Sequence, residues 1–176
     1  MSDVRVTPWQ EDDVPAPPTE LLAGMRGRRP GGELIGIDRV LLKSFPLATG
    51  WNGLLGRVRA EFDLSLEYRE LVMLRVAVLN RADFEWGVHY PAYLQAGGTE
   101  EKCEALKEPT AADNALFDKE ECALLTLTDQ STKQVEVDAA LVEELKRLFG
   151  EQQTVEAVAT VAAYNMVSRF LVALAV

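Results

Sequence analysis

Between Leu66 and Asn80 the chain offers almost no polar face. Leu71, Val72, Leu74, Val76, Ala77, Val78 and Leu79 cover nearly every side of a helix of that length. A helix of this kind is unstable on a surface, so it must form the centre of the fold with other elements packed around it. Ser65 precedes the run and predicts the N-cap. A chain of 176 residues, 48% of them hydrophobic, is long and apolar enough for one domain with a real core. Glu70 and Arg75 are the anomalies within this central helix. A carboxylate in such surroundings must be paired or hydrogen-bonded, or its pKa rises. Arg75 is a possible partner, although five residues is a poor spacing for a helical pair.

The rest of the chain reads as helix almost throughout. The first eighteen residues, with Pro8, Pro15, Pro17 and Pro18, are expected to form an extended arm. Residues 19–176 are then one all-α domain. Thr19 is expected to cap a short helix through Leu21–Met25, and Arg26–Gly32 is expected to be a loop. A helix begins at Ile37 and should stop near Pro46. A second covers Leu47–Phe62, where Gly50, Gly53 and Gly56 either weaken it or let another helix come close. After the central helix, Asp83–Ala96 is expected to be helical and to end at Gly97-Gly98. Thr99 should cap a short helix containing Cys103, and Asp118 one through Ala123–Leu125. Asp138–Phe149 should end at Gly150, and Gln152–Val176 form the last helix. No segment alternates convincingly as a strand.

Composition narrows the partners. A net charge of −10 argues against nucleic acid, whose phosphates need a basic face, and against anionic membranes. It leaves room for an anionic small molecule bound by local arginine. The first residues lack a signal-peptide pattern. The apolar stretch Val155–Val176 is interrupted by Glu156, Thr160, Asn165, Ser168 and Arg169, and is read as a buried helix. A cytoplasmic location is expected. Two cysteines, Cys103 and Cys122, make neither a disulfide framework nor a CxxC pair.

The only histidine is His89. In a helix it shares a face with Glu85, four residues earlier. A carboxylate beside an imidazole suits proton transfer near neutral pH, and it equally suits a pair that merely steadies a helix. If Arg75 turns away, Glu70 is free to orient the imidazole. Glu70 otherwise belongs to a buried ion pair, for which Arg169 is one candidate partner. Arg169 and Asn165 stand out in the apolar last helix, and an arginine fork would match a substrate carboxylate. Trp86 and Tyr90 flank the pair and could wall a pocket or pack as core. One histidine is poor for zinc or non-haem iron, so no metal is expected.

The segment Tyr68–Asn80, the Glu85-Trp86 to His89 stretch, the Gln95-Ala96-Gly97-Gly98 ending and the late Tyr164–Phe170 together resemble the carboxymuconolactone decarboxylase and alkylhydroperoxidase D superfamily. The resemblance covers about Leu34 onward and implies an AhpD-like helical bundle. In the peroxidase branch a glutamate is followed by a CxxC and then by a histidine. Here the glutamate falls on Glu70 and the histidine on His89, but Ala82 and Glu85 occupy the two cysteine positions. A thiol peroxidase needs an attacking thiolate and a resolving thiol, so the resemblance turns to the thiol-free, decarboxylase-like branch.

That branch implies a cofactor-free decarboxylase, or a related lyase or isomerase, acting on a small unsaturated carboxylated lactone or enol-type acid. By analogy His89 is the general acid/base, Glu70 its orienting carboxylate and Glu85 a second acid/base or the group that steers the departing carboxylate. Trp86, Tyr90, Asn165 and Arg169 are the expected substrate-binding residues. The resemblance also implies a homo-oligomer, trimer or hexamer. The rivals are an alkylhydroperoxidase-type antioxidant activity and a non-catalytic oligomeric module that kept the fold.

Overall fold

The computed structural model describes residues 4–176, and among them there are helices and no strands. The all-α expectation is correct. Eight α-helices follow in order: α1 Thr19–Gly27, α2 Gly36–Leu41, α3 Phe45–Ala60, α4 Leu66–Asn80, α5 Asp83–Ala96, α6 Glu100–Ala105, α7 Lys119–Lys133 and α8 Ala139–Leu174. Short 3-10 turns lie at Pro30–Gly32 and Ala111–Asp113. The chain divides into two compact units, residues 1–57 with 173–176, and residues 58–172.

In the smaller unit, residues 4–18 carry neither helix nor strand, and Trp9 is buried. The Trp9 amide donates to the Arg39 carbonyl at 2.9 Å. Asp38, almost fully buried, accepts a two-pronged bond from Arg29 at 2.7 and 2.8 Å and a third from the Ile35 amide. Two expectations need correction here, and one open alternative is resolved. Thr19 lies inside α1, which starts after Pro18 without a side-chain cap. Pro46 does not stop a helix but sits in the first turn of α3, where a missing N–H costs no helical bond. Gly50 and Gly56 have open space where a side chain would project, and Gly53 only the Arg57 side chain, so no described helix uses these glycines for close approach.

The larger unit is built round α4. Ser65 caps it as expected, its hydroxyl accepting from the Tyr68 amide. Residues Arg69 to Ala77 are all buried, and α5 and α7 pack against the helix. Arg81 takes the left-handed conformation (φ 56°), and with Ala82 it turns the chain back so that α5 lies along α4. Leu71, Leu74, Tyr93, Cys103, Leu106, Phe117 and Leu125 form a shared core.

Arg75 has turned away from Glu70. Its guanidinium binds Asp129 in α7 through Nε and Nη2, at 2.7 and 2.8 Å, and donates to the carbonyls of Leu106 and Glu108. Thr99 and Asp118 cap α6 and α7, and Asp118 with Glu121 completes a reciprocal capping box. The two last helices expected from sequence follow one another within α8, separated as expected at Gly150, whose non-helical φ of 77° and ψ of 171° suit glycine alone. Within α8 the most apolar window has the hydropathy of a membrane span, and half of that window is buried.

Candidate active site

Helix geometry puts Glu85 and His89 one above the other on the buried side of α5. The two-residue turn brings that side against the first half of α4, where Glu70 stands. The result is an imidazole between two carboxylates. Nδ1 of His89 is 2.6 Å from Oε2 of Glu70, and Nε2 is 3.3 Å from Oε2 of Glu85. All three side chains are nine-tenths or more buried. A carboxylate at Nδ1 fixes the proton on that nitrogen and leaves Nε2 as the working end.

The two contacts differ in kind. The Glu70 contact is a short charge-assisted hydrogen bond. Glu85 Oε2 lies within ion-pair distance of Nε2 but out of hydrogen-bond alignment, and it has no other partner. Burial by itself would lower the His89 pKa. The bond to Glu70, together with the negative charges of Glu70 and Glu85, outweighs that and raises it above 6.5. No group of three His, Cys, Asp or Glu side chains among the described residues is arranged to hold a metal ion.

Two further residues complete the site, and sequence reasoning missed both as site residues. The Tyr164 ring, from α8, meets the His89 ring edge-on at a centroid distance of 5.0 Å. Its hydroxyl accepts a 2.9 Å hydrogen bond from Nε of Arg59, at the end of α3. Burial pushes the Tyr164 phenol up to about 12, so the hydroxyl stays protonated. Arg59 is half-buried. Burial works against its charge, but Tyr164, Glu85 and Glu70 favour the charge and win. Tyr164 lay in the late motif, yet one tyrosine in an apolar helix reads as core. Arg59 lies 105 positions away from it, beyond any local pattern.

The four expected substrate-binding residues lie elsewhere. Trp86 and Tyr90 meet at a tilt with ring centroids 5.9 Å apart and pack against the Leu71–Cys103–Phe117 core, with Lys107 Nζ 5.2 Å from the Trp86 ring centroid. Asn165 is buried and fully bonded: Nδ2 donates to Thr132 and to the Val161 carbonyl, while Oδ1 accepts from Asn80 and Arg169. Arg169 is exposed and its bond goes to Asn165, not to Glu70. Of the seven predicted residues, the structure brings together Glu70, Glu85 and His89.

The thiols are remote in character from a redox pair. Cys103 is fully buried, and burial with the nearby Glu104 charge pushes its pKa up to about 11. Burial also raises Cys122. Both cysteines are free.

Residues 46–129 match the carboxymuconolactone decarboxylase family. Comparison with the curated proteins finds no match. Among solved structures, the chain is similar to an uncharacterised peroxidase-related protein from Silicibacter sp. TM1040, with TM-score 0.77, 17% identity and coverage of 96% of this chain and 90% of that one. It is similar to the debrominase Bmp8, solved as a cysteine-to-alanine variant with 2,3,4-tribromopyrrole, with TM-score 0.74, 21% identity and coverage of 96% and 88%. A third is a protein of unknown function from Agrobacterium tumefaciens, described as a candidate antioxidant defence protein AhpD. Its TM-score is 0.69 at 20% identity, covering 80% of this chain and 93% of that one. At these identities the likeness establishes the fold, an AhpD-like helical bundle.

Proposed function

We propose that this chain, which belongs to the carboxymuconolactone decarboxylase and alkylhydroperoxidase D-like superfamily, is a thiol-independent acid–base enzyme of the decarboxylase or lyase/isomerase type. Its substrate is a small unsaturated acid or lactone. The observation that carries this reading is His89 held between Glu70 and Glu85, with Nδ1 fixed and Nε2 loosely engaged.

In a decarboxylation, the substrate C–C bond breaks and its electron pair passes into the unsaturated system as CO2 leaves. The protonated His89 Nε2–H then delivers a proton to carbon, and the neutral imidazole recovers one from solvent. Overall one proton is consumed and one CO2 released. Glu70 keeps the ring in register and stabilises the imidazolium between turnovers, an arrangement worth more in a dry site than in water. Glu85 Oε2, buried and without an aligned partner, is the group free to accept a donor from the substrate. The raised pKa favours the charged imidazolium, the form competent as an acid.

The names of the structural neighbours point to antioxidant and debromination chemistry. For this chain a thiol mechanism is poorly supported, because Ala82 and Glu85 stand at the two cysteine positions of the peroxidase pattern and Cys103 is buried and held as the thiol. The test is turnover of unsaturated carboxylated lactones and enol acids, followed by CO2 release, with wild type, His89→Gln and Glu70→Gln. His89→Gln should lose about 10²–10⁴-fold in kcat, with KM changed much less. Glu70→Gln should also be slow. Full activity in His89→Gln would remove the proposal.

A further inference from the structure

An acid–base centre for small acids needs something to hold the acid. The two arginines of the larger unit nearest in kind, Arg75 and Arg169, are committed to Asp129 and to Asn165. Arg69 donates to the carbonyls of Val58 and Ser65. Arg59 differs. It forms no ion pair among the described residues, and its single hydrogen bond runs from Nε to the Tyr164 hydroxyl. Its Cζ lies 5.9 Å from the centroid of that ring, whose edge contacts His89. The remaining guanidinium nitrogens therefore have no protein partner among the described residues, on a side chain that is half-buried and reachable. Glu85 Oε2, 3.3 Å from His89 Nε2 and close enough for its charge to act on Arg59, is a buried acceptor without an aligned donor.

Given the acid–base role proposed for His89, on which this depends, we infer that Arg59, positioned by Tyr164, is the anion-binding residue of the site. Its ligand is a small carboxylate carrying a hydrogen-bond donor that reaches Glu85. The polarity follows from charge. A carboxylate placed against Glu70 and Glu85 would be repelled, whereas at Arg59 it meets a guanidinium fork that suits two oxygens. A hydroxyl or enol at the far end would meet Glu85, which otherwise carries the cost of a buried unsatisfied acceptor. The acid is thus bound end-on, with its middle atoms beside His89 Nε2.

The ring signals of the single histidine report on this site without ambiguity. With glycolate, acetate and glycolamide as probes at low salt, glycolate should shift the His89 signals saturably in the millimolar range. Acetate, lacking the donor, should bind more weakly. Glycolamide, lacking the charge, should be indifferent to residue 59. Arg59→Gln should weaken glycolate by about tenfold or more, the scale of a lost charge-assisted pair. Arg59→Lys should fall between the two, and Tyr164→Phe should weaken binding severalfold while leaving the charge in place. Circular dichroism checks that each variant is folded, and Arg59→Lys carries the test if the glutamine variant is not.

Equal glycolate affinity in wild type and the Arg59 variants, or no saturable shift in wild type, would overturn the inference. A change confined to the His89 pKa, with binding intact, would do the same, because it would make Arg59 a counter-charge only. Failure here is separable from failure of the proposed chemistry. Arg59-dependent binding without turnover of any acid rejects the chemistry alone. Turnover that survives Arg59→Gln with an unchanged KM rejects the binding role alone.

Discussion

His89 Nδ1 sits 2.6 Å from Oε2 of Glu70, a contact between side chains nineteen positions apart on two helices joined by a two-residue turn. The pair is buried, so its charge state is coupled to the stability of the helix hairpin. The folded pKa of His89 is raised above 6.5, because its bond to Glu70 and the charges of Glu70 and Glu85 outweigh burial. A raised folded pKa means that protonation favours the folded state. The stabilisation is fully present below 6.5 and is lost as pH rises through the folded value. Urea unfolding of wild type and His89→Gln from about pH 6 to about pH 9 should therefore show the wild-type advantage shrinking with pH. Direct titration of the lone imidazole by NMR should place its midpoint above 6.5, and Glu70→Gln should lower it.

Thiol chemistry should be dispensable. Replacing both Cys103 and Cys122 by Ala should leave any native turnover largely intact, at a stability cost of about 1 kcal/mol for the small hollow left at the fully buried Cys103. In the native protein Cys103, pushed up to about 11 chiefly by burial, should resist a disulfide reagent at about pH 8 until the chain is unfolded. Rapid native-state labelling of Cys103, or loss of turnover in a folded double variant, would restore the thiol reading.

Two glycines of the larger unit should respond in opposite senses. A Cβ at Gly98 would lie 2.3 Å from Cε1 of Tyr93, a ring with no exposure and no room to retreat, so Gly98→Ala should cost about 1–3 kcal/mol. Gly87 lies between Glu85 and His89 on the outer side of α5, with nothing within 4 Å of the place an alanine methyl would take. Gly87→Ala should stabilise by about 0.5–1 kcal/mol through the unfolded chain. Thermal melts of the two variants check both signs.

Self-association is a proposal that α8 supports. Val155, Val158, Met166 and Val172 are exposed at roughly helical spacing along one helix, all by more than a third and Val155 by 67%. Light scattering at micromolar concentration should give a trimer or larger, and Val155→Lys with Met166→Lys should lower the mass without unfolding the chain. A wild-type mass near 19.5 kDa would refute it.

What could be read from sequence was local. Ser65, Thr99 and Asp118 bond amides only three residues ahead, so the cap and its partner fall within one glance. Glu85 and His89 share a helix face for the same reason. Pro46 and Thr19 misled because each residue type suits more than one position near a helix start. The pairing of Glu70 with His89 is only an option in the sequence, open if Arg75 turns away and favoured by the family resemblance, since helical spacing says nothing about two helices. Arg75 with Asp129, and Arg59 with Tyr164, are separated by 54 and 105 positions, and no periodicity encodes such contacts. Arg169 attracted attention because a charge in an apolar run is conspicuous, whereas Arg59 sits among ordinary surface-like residues.

The buried acid of α8 has a consequence for the order in which the protein can mature. Glu156 Oε2 accepts from the Leu64 amide across 92 positions, just ahead of the cap that starts α4. Tyr164, which touches His89 and holds Arg59, follows within about three turns of the same helix. A ribosome delivers the chain from its first residue onward. The α4–α5 hairpin with Glu70, Glu85 and His89 can be complete long before the segment that steadies its entrance and fixes its arginine anchor has been translated. A nascent chain halted before residue 156 thus carries the proton-transfer pair without the parts that would orient an acid beside it.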